Sequence, residues 1–233
     1  VCDCYAIGAE MTIGLPFYSD AIAAFATVQD WDWSNRDPAD CDIRDWPDFG
    51  CLTFSENALR GTVHYLREAE FASNEYRRTL DPWNASNASG HFRKCNQPES
   101  ALELLACVPA NKLKLPKLHS AMCTTRGGAM RDLGRREEAL QLGKQAHELQ
   151  PRNFRPCTLI GAVCMELGDY AAGNDWYAKA EERGASKEII DTELQGIFLR
   201  ADKAWRESMR ASLLAKDPDR YRWVNDKKYL GGS

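Results

Sequence analysis

The sequence predicts an all-helical chain whose C-terminal half is a stack of helical hairpins. Three observations predict it. Leu133-Gly134-Arg135-Arg136-Glu137-Glu138-Ala139 returns 34 residues later as Leu167-Gly168-Asp169-Tyr170-Ala171-Ala172-Gly173. The echo extends outward, Gly127 answering Gly161 and Ala146 answering Ala180. Gly stands at each expected turn, and small residues stand where the two helices of a hairpin would cross. A 34-residue unit of this kind buries its apolar face only by stacking on its neighbours.

The first unit spans 120–153. Its helices are expected over about 118–132 and 136–149, with Gly134 turning the chain and Pro151 closing the unit. The second spans 154–187. A degenerate third unit, 188–221, is expected as helices over about 187–200 and 202–215, ending at Asp217-Pro218 without a turn glycine. A terminal unit departs in this way because it caps the stack. Tyr221, Trp223 and Tyr229 follow and are expected to fold back over the last helices. Upstream, Gln97-Pro98 opens a helix to about Val108, and Pro109–Pro116 is a long connection.

Gly127, Gly134, Ala139, Ala146 and Pro151 in one unit, and Gly161, Gly168, Tyr170, Tyr177 and Ala180 in the next, resemble the tetratricopeptide repeat. Gly173 stands where that pattern has Ala, and Ala185 where it has Pro. The resemblance covers 118–187 closely and 97–230 loosely. It implies a protein–protein interaction module that holds a peptide or helix on the inner face of the stack, without a covalent step.

In that register three rows face the groove at the 34-residue period. Thr124, Thr158 and Thr192 form one, and Gly128, Ala162 and Gly196 another. Arg131, Met165 and Leu199, then Asp132, Glu166 and Arg200, lie farther along. The plainer alternative is that the small residues only permit close helix packing. The family often clamps a carboxylate terminus with Lys, Asn and Arg at inner positions. Here Ala121, Thr124 and Gly128, then Arg155, Thr158 and Ala162, do not form that clamp, and only Arg131 or Arg155 could take a carboxylate.

Residues 1–95 carry no detectable repeat. Tyr18–Val28 reads as a short apolar helix. Residues 30–48 hold seven Asp and three Trp against Arg36 and Arg44, an irregular ordered loop of local charge −5. Thr53-Phe54-Ser55-Glu56 is a capping box. It opens a helix to about Thr79, with Leu59, Val63, Leu66 and Ala69 on one face, ended by Asp81-Pro82. This mainly helical region is expected to pack on the repeats. Asn84-Ala85-Ser86 and Asn87-Ala88-Ser89 are two glycosylation sequons that read as a polar turn.

Composition narrows the function classes. At 233 residues, 44% hydrophobic and 27% charged, the chain is an ordinary globular one. A net charge of −4 argues against a nucleic-acid binder. A basic stretch at 200–228, nine Lys or Arg against five acids, keeps a nucleic-acid-associated role as an alternative. No stretch reaches the roughly 18 apolar residues of a membrane span. Nine cysteines, with Cys107, Cys123, Cys157 and Cys164 inside helical patterns, suit a reducing, cytoplasmic setting better than a disulfide framework. The chain opens at Val1 and is expected to be a piece of something longer.

Chemistry finds little support in the sequence. Cys2 and Cys4, with Cys41, Cys51, His91 and Cys95, are the best zinc candidates, which keeps a metal-dependent or catalytic N-terminal region as another alternative. Paired Cys-x2-Cys knuckles, a phosphate loop and a nucleotide-binding glycine fingerprint are all missing. His64, His91, His119 and His147 stand beside no nucleophile motif. The expectation is a non-enzyme with no cofactor and no bound metal, whose partner is a protein or peptide.

Overall fold

A computed structural model describes residues 56–226 and Tyr229. Tyr18–Val28, the Asp/Trp-rich loop, the capping-box residues Thr53–Ser55 and Cys2, Cys4, Cys41 and Cys51 lie outside the described residues. Every regular element among the described residues is helical, and nine are α-helices. They divide into two compact units between Leu113 and Lys114.

In the first unit α1 (Glu56–Thr79), α2 (Pro82–Lys94) and α3 (Pro98–Ala106) pack in chain order, followed by a 3₁₀ turn at Ala110–Lys112. The α1 stop falls at Thr79, as read from Asp81-Pro82, but the chain does not leave helix for long. Leu80 turns it with φ 54°. Asp81 then caps α2, accepting from the Trp83 N–H at 3.0 Å, and Pro82 takes the first helical position. The two sequons are therefore not a polar turn; they form the middle of α2. Ala85, Ser86, Ala88 and Ser89 are its buried face, and Ser89 Oγ donates to the Ala101 carbonyl at 3.0 Å. Tertiary burial overrides the turn preference of Asn and Ser here. The buried residues Leu66, Ala69, Ala72, Tyr76, Leu105 and Val108 complete this core, and Tyr76 Oη donates to the Cys107 carbonyl at 3.0 Å.

In the second unit α4 (Pro116–Asp132) packs on α5 (Arg136–Leu149), and α6 (Phe154–Glu166) on α7 (Tyr170–Glu182). The turn glycines are required by backbone geometry: Gly134 and Gly168 have φ +76° and +81°, where a Cβ is strained. Small residues set the spacing within and between the pairs. A Cβ on Gly127 would stand 2.7 Å from Leu159 Cδ2 and 3.2 Å from the Ala139 carbonyl; one on Gly161 would stand 3.1 Å from the Tyr177 ring. Pair is joined to pair by α5 on α6 and by α4 on α6. Ser120 Oγ donates to the Ala146 carbonyl at 2.7 Å, locking α4 to α5.

The last two helices, α8 (Lys187–Arg200) and α9 (Lys203–Lys216), contact α6 and α7 in turn. They do not close on each other as the earlier pairs do. Large side chains, not Gly or Ala, meet in this region: Leu194, Ile197, Phe198, Met209 and Leu213 are all almost completely buried. The chain after Lys216 folds back as expected. A 3₁₀ turn at Arg222–Asn225 and Tyr229 bring Tyr221, Val224 and Tyr229 into the same cluster. Trp223 and Tyr229 meet the Phe198 ring edge-on at 5.6 and 5.8 Å.

Asp202 starts α9 by accepting from the Trp205 N–H at 2.8 Å. Asp202→Ala should therefore lower stability by about 1 kcal/mol, read as a shift in urea midpoint; no shift would show the cap to be idle.

Candidate functional site

The residues expected to line a groove come from three alternate helices: α4, α6 and α8. The structure joins these three helices through one ion-pair row. Arg131 on α4 donates from Nε and Nη2 to Glu166 Oε1 at 2.9 and 2.6 Å, on α6. Its Nη1 reaches Glu193 Oε1 on α8 at 2.7 Å. Arg136 Nε and Arg200 Nη2 stand 3.4 and 3.6 Å from the same Glu166 carboxylate. The Arg131 and Glu166 side chains are only 10% and 8% exposed, so the pair is screened little by solvent. Burial alone would lower the Arg131 pKa; Glu193 and Glu166 together outweigh it and hold the group above its usual value. Beneath them the Tyr177 hydroxyl is fully buried with no hydrogen-bond partner, and burial, with Glu193 nearby, pushes its pKa well up.

The threonine row is unevenly exposed. Thr124 is half-buried and donates to the Ser120 carbonyl at 2.8 Å. Thr158, also half-buried, donates to the Arg155 carbonyl at 2.8 Å. Thr192 is exposed. Gly128, Ala162 and Met165 are buried. Met165 is turned toward α7, where a Cβ on Gly173 would meet it at 2.9 Å. These three serve packing, so of the expected lining Thr124, Thr158, Thr192, Gly196 and Arg200 keep some exposure. Arg155 is exposed on the first turn of α6, about 16 Å along the helix from Glu166, too far to share one carboxylate with Arg131.

Thr192, Gly196 and Arg200 do converge. With Glu188, Ile189 and Glu193 they line an open cleft of about 450 Å³ along α8. The absent Cβ of Gly196 leaves its floor low: the one neighbour such a Cβ would meet is Arg200 Nη1 at 3.4 Å. The sequence reading missed Glu188, Ile189 and Glu193, although each lies one residue or one turn from a residue it named. It also missed the partnership of Arg131 with Glu166, of opposite charge and 35 residues apart.

Other chemistry does not assemble among the described residues. Cys157 Sγ lies 3.6 Å from His147 Nδ1. That thiol is completely buried, however, and burial raises its pKa, the reverse of what an attacking thiolate needs. Cys95 is buried with its pKa raised to about 12, and His91 stacks on Tyr65. No group of three or more His, Cys, Asp or Glu that could hold a metal occurs among the described residues. Within the basic stretch, two of the arginines are engaged inside the fold. Arg220 pairs with Glu181 and Asp191 at 2.6 and 2.9 Å, and Arg210 Nε donates to the Val224 carbonyl. No described helix is long and apolar enough to cross a membrane. No family model, curated protein or solved structure matches the chain.

Proposed function

We propose that the second unit is a protein-interaction module of the tetratricopeptide kind. It takes a peptide or helix of a partner against three alternate helices, α4, α6 and α8. One observation supports the reading: Arg131, Glu166 and Glu193 tie together α4, α6 and α8, the helices that carry Thr124, Thr158 and Thr192. Rigid presentation of this sort is what a capture surface needs, because no ordering of the receptor is then charged against binding. Three helices offer a small contact, so the expected affinity is roughly micromolar. Five described cysteines are free thiols, four of them buried, which favours a reducing, cytoplasmic setting for the module.

The test is an affinity pull-down from source-cell lysate with wild type and Thr124→Arg/Thr158→Arg, circular dichroism confirming that both fold. The variant should lose retained partners at least about tenfold, as two large cations would block the face. Partners retained equally by both would place the binding surface elsewhere on the chain.

A further inference from the structure

The cleft along α8 already holds one guanidinium, and it belongs to the chain itself. Glu188, Thr192, Gly196 and Arg200 follow at four-residue steps, so they form one stripe that climbs about 18 Å from acid to base. A long helical side chain lies over the turn before its own Cα, which turns Arg200 back along this stripe. The distances agree: Arg200 Nη1 is the one neighbour that a Cβ on Gly196 would meet, at 3.4 Å. The guanidinium thus rests on the floor that Gly196 leaves low. It is loosely held there. Its side chain is 65% exposed, and Nη2 stands 3.6 Å from Glu166 Oε1, beyond a hydrogen bond. Glu166 is already engaged by Arg131 at 2.9 and 2.6 Å.

Given capture of a peptide or helix by the second unit, on which this rests, we propose that the α8 cleft receives a basic side chain of the partner, arginine or lysine, and that Arg200 is the built-in competitor it displaces. Carboxylates flank the floor. At ~100° per residue Glu188 and Glu193 lie about 140° apart around α8, with Thr192 and Gly196 between them; all four line the cleft. Glu193 keeps 39% of its side chain exposed although Arg131 Nη1 reaches it at 2.7 Å, so it still faces the cleft. Glu188 is exposed, and hydrogen bonds from its own backbone N–H and from Ser186 hold its carboxyl below the usual range, which keeps it ionised. Ile189, 54% exposed, offers apolar surface to the aliphatic stem of an arginine or lysine. The Tyr177 hydroxyl is buried without a hydrogen-bond partner among the described residues, and Glu193 is the strongest charge acting on it, so a polar group stands unused beneath this carboxylate. An acidic side chain entering the same cleft would face two carboxylates and only the one guanidinium of its lining.

The probe is N-acetyl-L-argininamide, titrated into the isotope-labelled full chain and followed by amide shifts in NMR, with N-acetyl-L-glutamate as the acidic control. Argininamide should give saturable shifts at Thr192, Glu193 and Gly196, with a dissociation constant on the order of 1–10 mM for a single side chain. Binding should weaken in about 0.5 M salt. Arg200→Ala removes the competitor and should tighten binding about threefold or more; Glu188→Lys reverses one flanking charge and should weaken it by at least as much. Both positions are exposed, so folding survives, and circular dichroism checks it. Absence of saturable shifts along α8, equal binding of the acidic control, or an Arg200→Ala affinity no better than wild type each overturns the proposal. Its failure is distinct from failure of capture. Lysate partners lost by Thr124→Arg/Thr158→Arg, with no argininamide bound at α8, would leave capture standing and remove the basic-residue site. Argininamide bound at α8, with lysate partners retained equally by both chains, would do the reverse.

Discussion

Arg131→Met should destabilise the second unit by about 3–5 kcal/mol, because it strands a buried carboxylate rather than merely deleting a contact. Glu166 is 8% exposed, and Arg131 supplies its two shortest donors, at 2.9 and 2.6 Å. Arg136 and Arg200, at 3.4 and 3.6 Å, are too distant to replace them without moving. Methionine preserves most of the aliphatic stem, so lost packing contributes little. The measurement is a urea midpoint by circular dichroism, compared with Arg200→Ala. That exposed, long-range partner should cost under about 1 kcal/mol. A second comparison isolates the cause: Arg131→Met/Glu166→Gln removes the stranded charge and should recover part of the loss. If Arg131→Met costs no more than Arg200→Ala, the row does not hold α4, α6 and α8 together, and the basis for the capture reading goes with it.

Phe198→Ala should cost a similar amount, about 3–5 kcal/mol, through the cavity left by a completely buried ring. Its effect should also be local in a way that Arg131→Met is not. Phe198 is met edge-on by Trp223 and Tyr229, and Arg210 lies over the ring at 5.5 Å while donating to the Val224 carbonyl. Removing the ring therefore takes the seat from under the returning tail. Amide hydrogen exchange should accelerate first at Arg222–Asn225, before α4–α7 respond. Acceleration spread evenly over the second unit would mean that the tail is not a separate layer on α8 and α9.

What could be read in advance follows the strength of local signals. The limits of α5 and α8 match the expected ones because Gly134, Pro151 and the capping Ser186 act locally. The α2 helix was hidden because Asn and Ser favour turns in isolation, while the burial of Ala85, Ala88 and Ser89 within the first unit decides the outcome. Pro82 was ambiguous for the same reason: it ends one helix pattern and begins another. The site divides along a similar line. A 34-residue period finds equivalent positions, and two of those it named, Thr192 and Gly196, line the cleft along α8. It cannot find cross-helix partners, since side-chain ridges run obliquely to the helix axes. Arg131 thus meets Glu166 rather than its periodic equivalent Met165, which faces Gly173 instead.

The threonine hydroxyls carry a final consequence. Thr124 donates its proton to the Ser120 carbonyl, and Thr158 to the Arg155 carbonyl. A hydroxyl has one proton to give, and once it points back into its own helix only lone pairs face outward. The proposed face is then a line of acceptors, and it has a chemical polarity of its own. It would favour ligands that arrive with N–H or ammonium groups and disfavour those offering carbonyl or carboxylate oxygens at the same points. Selectivity would come from which protons the partner brings, a property set by two bonds inside the receptor.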